Sequence, residues 1–201
     1  NINQAASFNG STNTAVFDFG DNAVNQVYTT AGGTGPNIRF DNAADANDSI
    51  VLSTADAAFT GMSTTVNFGD ANTIPITYNA HNLTIGGSGF TLITGTFNAS
   101  TTMTFSGAGF THNVATGSYV EGTNTIFSGG DNTLDFNTSE TFNAVEINST
   151  GTKTIASGDT MVVAGTLTLT NGRINTGIID TRADINQAAT FDYGTATLDF
   201  G

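Results

Sequence analysis

The sequence predicts an all-β chain built as a right-handed parallel β-helix, or β-solenoid. Three observations carry that prediction. Charged residues make up only 10% of the 201 positions, and Lys153 is the only lysine. Helix surfaces draw on Glu, Lys, Arg, Gln and Ala, whereas the polar residues here are mostly Thr and Asn, which favour strands and turns. Second, short alternating segments follow one another at roughly 8–12-residue spacing, bounded by Gly, Asn and Asp. Third, the chain repeats itself. Ile2-Asn3-Gln4-Ala5-Ala6-Ser7-Phe8 returns as Ile185-Asn186-Gln187-Ala188-Ala189-Thr190-Phe191, an offset of 183. Phe17-Asp18-Phe19-Gly20 returns as Leu198-Asp199-Phe200-Gly201, an offset of 181, and the slip of two falls in the turn-like run Asn9–Asn13. Length changes are tolerated in such a loop. Residues 1–184 therefore read as one full repeat unit and residues 185–201 as the start of the next. Periods on this scale mark arrays and stalks.

In chain order, the predicted strands are Thr14–Phe19, Thr64–Phe68, Thr73–Tyr78, Asn82–Ile85, Phe90–Thr94, Thr101–Phe105, Thr123–Phe127 and Thr133–Phe136. Pro75 limits its strand to an edge, a bulge or a strand start. In the last third the apolar pairs are Val145 and Ile147, Thr154 and Ile155, Met161 and Val163, Leu167 and Leu169, Ile174 and Ile178. Period-2 alternation in Thr166–Thr170 sends both leucines to one face and the threonines to the other. The following Asn171-Gly172 signals a tight turn. Coils of about 20 residues, each rising about 4.8 Å, give a unit of about nine coils and a length on the order of 40 Å. Tandem antiparallel β-sandwiches are the alternative. They are disfavoured by the short strands, the absence of Trp and the presence of only two prolines.

The stretch Phe142–Gly151 running on to Leu167–Gly177 resembles the repeats of large bacterial surface and adhesin-like proteins, of the filamentous-haemagglutinin and autotransporter-passenger kind. That resemblance covers roughly the last third of the chain and implies a parallel β-helix acting as a spacer or adhesive fibre on a cell surface.

Composition excludes several functions. The formal net charge is −13, from 17 acidic and 4 basic residues. Nucleic acid demands clustered Lys and Arg, and anionic membrane surfaces are disfavoured for the same reason. No apolar run reaches membrane-span length, so this segment is not expected to insert. Without cysteine there is no thiol nucleophile, disulfide or Cys-zinc site.

Specific sites are few. Glycoside cleavage needs two facing carboxylates; Asp18, Asp135 and Asp199 share an apolar-Asp-Phe context, but Asp18 and Asp199 are the same repeat position. An enzyme is not expected. His81 and His112 fall in Asn/Thr-rich runs and read as exposed turn residues. Calcium is the sharpest cofactor reading, on Asp41, Asp45 and Asp48, whose hard oxygens suit that ion; a plain solvated acidic loop is the competing one. Gly129-Gly130-Asp131-Asn132 faintly resembles a calcium-binding β-roll motif but does not repeat. Thr-x-Thr pairs recur at irregular intervals and argue against an ordered water-binding face. Tyr28, Tyr78, Tyr119 and Tyr193 are candidates for stacking on sugars. Sequons at Asn9, Asn47, Asn82, Asn98, Asn137 and Asn148 offer glycosylation positions. The functional expectation is an extracellular, acidic, repetitive rod or filament at a microbial cell surface, with itself as partner through tandem repeats or end-to-end assembly. Adhesion to glycan or protein is the second reading and a polysaccharide-cleaving β-helix the third.

Overall fold

In the computed structural model, the described residues are 2–9, 16–19, 27–35, 37–40, 49–52, 56–59, 62–64, 73–74, 82–87, 89–93, 95–106, 109–115 and 117–201. Among them there is no helix, and every strand pairing is parallel. A sandwich of antiparallel Greek keys is thereby excluded, and the chain is a parallel β-solenoid.

The coil can be followed through successive register partners: Ala57, Leu83, Met103, Thr125, Val145, Leu167 and Ile185. Over these steps a turn takes about 21 residues on average, the size of a solenoid coil. The steps are uneven: the one from Ala57 to Leu83 is the longest and the one from Leu167 to Ile185 the shortest. Each turn crosses three faces. The first face carries Thr34–Gly35, Ala57–Phe59, Leu83–Ile85, Thr102–Ser106, Asn124–Gly129, the opening halves of Ala144–Ile155 and Leu167–Asn175, and Ile185–Gln187. The second carries Val16–Phe19, Asn37–Phe40, Met62–Thr64, Phe90–Thr91, Phe110–His112, Asn132–Phe136, the closing halves of the two long strands, and Phe191–Asp192. The third lies between each second-face strand and the next first-face strand. It is a ladder in pieces: Ile2–Gln4 with Val27–Thr30 and Ser49–Leu52; Thr73–Ile74 with Gly95–Asn98 and Gly117–Val120; and Ser139–Phe142 with Thr160–Val163, Ile178–Thr181 and Thr197–Phe200.

Alternation fills the shaft. Leu167 and Leu169 are fully buried while Thr168 between them is not, as the sequence predicts. Phe59, Phe90, Phe105, Phe110, Phe127 and Phe142 are among the largest fully buried side chains. Phe110 sits centrally, with ring centroids 5.1 Å from Phe90, 5.2 Å from Phe105, 5.2 Å from Tyr119 and 5.5 Å from Phe142. Stacking in parallel register brings like residues together, as in Phe105 over Phe127 at 5.4 Å and 20°.

One local expectation is corrected. The tight turn signalled at Asn171-Gly172 is a bend within a strand: Leu167–Asn175 is continuous and passes from the first face to the second, with Gly172 at φ 100° at the bend. A Cβ there would lie 2.8 Å from the Ser149 Cβ of the turn below, so glycine suits the corner both sterically and conformationally. In the next corner Gly177 adopts φ 63°, which leaves Ile178 outward and exposed and sends Ile179 into the core in its place.

Candidate functional site

Corner backbone groups that the strand ladders do not reach need other partners, and side chains supply several of them. The best-connected corner joins the first and second faces at Ser128–Asp131. Lys153, one turn above, points inward from its strand and is fully covered. Its Nζ donates to the Ser128 carbonyl at 2.7 Å and to the Gly130 carbonyl at 2.8 Å. The intervening Gly129 carbonyl accepts from Ser149 Oγ at 2.7 Å and Thr150 Oγ1 at 3.1 Å. Asp131 Oδ1 in turn accepts from the Thr152 N–H at 2.7 Å. Burial pushes the pKa of the Lys153 ammonium down to about 8, opposed by the negative charge of Asp131. The carbonyls of Ser128, Gly129 and Gly130 in this corner thus all accept from side chains of the turn above.

The second polar centre lies inside the shaft, where the third-face ladder is interrupted between Gly117–Val120 and Ser139–Phe142. His112 ends a second-face strand and Glu140 points inward from the third face; His112 Nδ1 hydrogen-bonds Glu140 Oε2, and both side chains are 10% exposed. His112 is therefore not an exposed turn residue. The alternation Phe110-Thr111-His112, in-out-in, places its side chain with Phe110, and that signal was the one to follow. Gly117 makes the room: a Cβ on it would lie 3.0 Å from His112 Nε2. Tyr119 is buried nearby, stacked on Phe97 at 5.8 Å and 8°. Burial raises the pKa of its hydroxyl; the neighbouring Thr125 offsets part of that rise, and the charges of Glu140 and Glu121 add to it. Among the described residues, His112 Nε2 and Tyr119 Oη have no partner in full hydrogen-bonding geometry.

Among the described residues, Asp135 and Asp199 are not brought together. Asp135 is held by Asn113 Nδ2 at 3.0 Å on the second face, while Asp199 sits on the third, in register with Asp180, which Arg182 Nη2 contacts at 3.0 Å. Most other described carboxylates with partners serve turns: Asp159 accepts from Phe136 N at 2.7 Å and Asp56 from Asn82 N at 2.8 Å. Tyr193 packs edge-on against Phe191 at 5.6 Å. Thr84 and Thr104 are in register, as are Thr91 and Thr111, but Ile126 and Asp135 follow them, so neither threonine run extends. Asp41, Asp45 and Asp48, together with His81 and Tyr78, lie outside the described residues. Among the described residues no three His, Cys, Asp or Glu side chains group as a metal site. No helix among the described residues is long and apolar enough to cross a membrane.

Compared with protein-family models, curated proteins and solved structures, the chain matches none.

Proposed function

We propose that the chain is a segment of a stiff, acidic, repetitive rod that spaces or displays material at a microbial cell surface. The observation that carries this reading is the repeated segment within a coil built for stacking. Both copies close the same turn: Phe8 N–H donates to the Ala5 carbonyl at 3.0 Å, and Phe191 N–H to the Ala188 carbonyl at 3.2 Å. A sequence that returns with the same local conformation in a parallel coil can be extended by further copies without a change of architecture. Supporting this, the polar side chains with defined partners mostly serve the coil itself, at corners and between turns. The charge of −13 favours dispersal of exposed rods over aggregation.

The test is mechanical. Removing one unit from the parent protein and imaging the surface fibre should shorten it by about 40 Å, the rise of one unit at about 4.8 Å per turn. An unchanged fibre length, or release of sugar from acidic polysaccharide by the purified chain, would refute the spacer reading.

A further inference from the structure

The two copies of the repeated segment occupy different faces of the shaft. In the first, Ile2–Gln4 pairs with Val27–Thr30 on the third face, and the Phe8 carbonyl accepts from Thr34 N–H on the first face at 3.1 Å. In the second, Ile185–Gln187 pairs with Leu167–Leu169 on the first face, and Phe191 pairs with Gly172 on the second. The later motif follows suit: Val16–Phe19 pairs with Asn37–Phe40 on the second face, Thr197–Phe200 with Ile178–Thr181 on the third. Every matched strand is displaced by one face in the same direction.

The third-face strands give the count. They begin at Ile2, Val27, Ser49, Thr73, Gly95, Gly117, Ser139, Thr160 and Ile178, nine levels and hence eight turns, and Ile185 then opens the next face. We infer that one unit advances the coil by eight and one-third turns, so that each copy is rotated by one face, about 120° in a three-faced coil, relative to the copy before it. The three corners are interchangeable enough to allow this, because the Ala5–Phe8 turn and the Ala188–Phe191 turn have the same hydrogen bond although they join different pairs of faces.

This deepens the rod reading and rests on it only for its consequence. An outward patch carried once per unit returns to a given direction only at every third unit. Three units make about 25 turns, which at about 4.8 Å per turn is about 120 Å along the axis. A tandem rod of such units has no single adhesive side. It meets neighbouring copies of itself, or a ligand, on three sides in rotation.

Cysteine pairs test the phase directly, because the chain has no cysteine of its own and neighbouring strands hold Cα atoms within disulfide reach. Asn186→Cys is paired with Thr168→Cys on the first face or with Asp180→Cys on the third. Asn3→Cys is paired with Thr29→Cys on the third face or with Thr34→Cys on the first. Mild oxidation of the full chain should cross-link the 186/168 and 3/29 pairs and leave the other two reduced. Cross-linking of 186/168 with 3/34, or of 186/180 with 3/29, would put both copies on one face and overturn the rotation. Nuclear Overhauser contacts in the unsubstituted chain, Asn186 to Thr168 and Asn3 to Thr29, must agree. The outcome is independent of whether the rod acts at a cell surface, which fibre imaging addresses separately.

Discussion

Lys153 makes the stability of the coil depend on pH in a direction that an exposed lysine would not. Its ordinary pKa of 10.5 is lowered to about 8 by burial, with Asp131 opposing the shift. Between those values the unfolded chain binds a proton that the folded chain does not, so stability rises with pH across the window. Below about 8 the ammonium is charged in both states and the fold carries its desolvation cost. At 1.36 kcal/mol per unit the full shift corresponds to about 3 kcal/mol. Between pH 7 and 10, with screening of an ammonium whose bonds are only part-buried, about 2 kcal/mol is expected. Lys153→Met removes this dependence and also strips the Ser128 and Gly130 carbonyls of a donor, a loss of about 1–3 kcal/mol at pH 7. Urea unfolding of both proteins at pH 7, 8, 9 and 10 isolates the lysine, since Tyr119 and every other titrating group is common to the two. The stability gap between wild type and variant should widen by about 2 kcal/mol over the series. A constant gap, or one that narrows, would show that Lys153 titrates as an exposed lysine and that the corner is open to water.

Phe110→Ala should cost about 3–5 kcal/mol, because the rings packed around it cannot collapse into the void, and hydrogen exchange should quicken between Phe90 and Phe142 before it does between Leu167 and Thr181. Gly122→Ala should destabilise by about 3 kcal/mol, since its Cβ would fall 1.8 Å from the Ser100 carbonyl oxygen. Gly130→Ala, with nothing within 4 Å of the added carbon, should leave the thermal midpoint almost unchanged. Glu140→Ala should cost about 3 kcal/mol by leaving His112 buried and unpaired, whereas the double variant His112→Leu/Glu140→Met should recover most of it; calorimetry on the three proteins decides.

Alternation was legible because it is local. A side chain two residues along a strand faces the same way whatever the strand pairs with, so Leu83, Ile85, Met103, Phe105, Val145 and Ile147 could be assigned inward without knowing their neighbours. What stayed hidden depends on partners a full turn away. Whether Asn171-Gly172 reverses the chain or only bends it depends on Ser149 and Gly151 in the turn below. The His112–Glu140 pair joins two strands 28 positions apart, across a break in the ladder, and nothing in either local context names the other. The one-face rotation was hidden because the turns differ in length, Ala57 to Leu83 being a longer step than Leu167 to Ile185. An offset of 183 between the copies therefore does not reveal by itself how many turns it contains.

Part of the acidity of the chain serves the same geometry. A coil made only of strands and corners leaves backbone groups at each corner that the ladders do not reach, and this chain meets them with opposite chemistries. Free N–H groups are met by carboxylates, as at Asp131, Asp159, Asp56 and Asp192. Free carbonyls are met largely by hydroxyls, as at Ser149, Thr150 and Thr190, and by the Lys153 ammonium at one corner. Among the described residues, side-chain acceptors at corners are thus mostly charged and side-chain donors mostly neutral, which adds to the net negative charge. Stacking then brings like charges together on successive turns, as in Asp180 and Asp199, which sit in register with Arg182 as the nearby counter-charge. Repulsion of that kind is screened by salt, so the coil gains stability at higher ionic strength, while rods bearing the same surface keep apart at low salt. The carboxylates that close corners thus contribute part of the net negative charge, and on the proposed rod that charge would keep neighbouring copies apart.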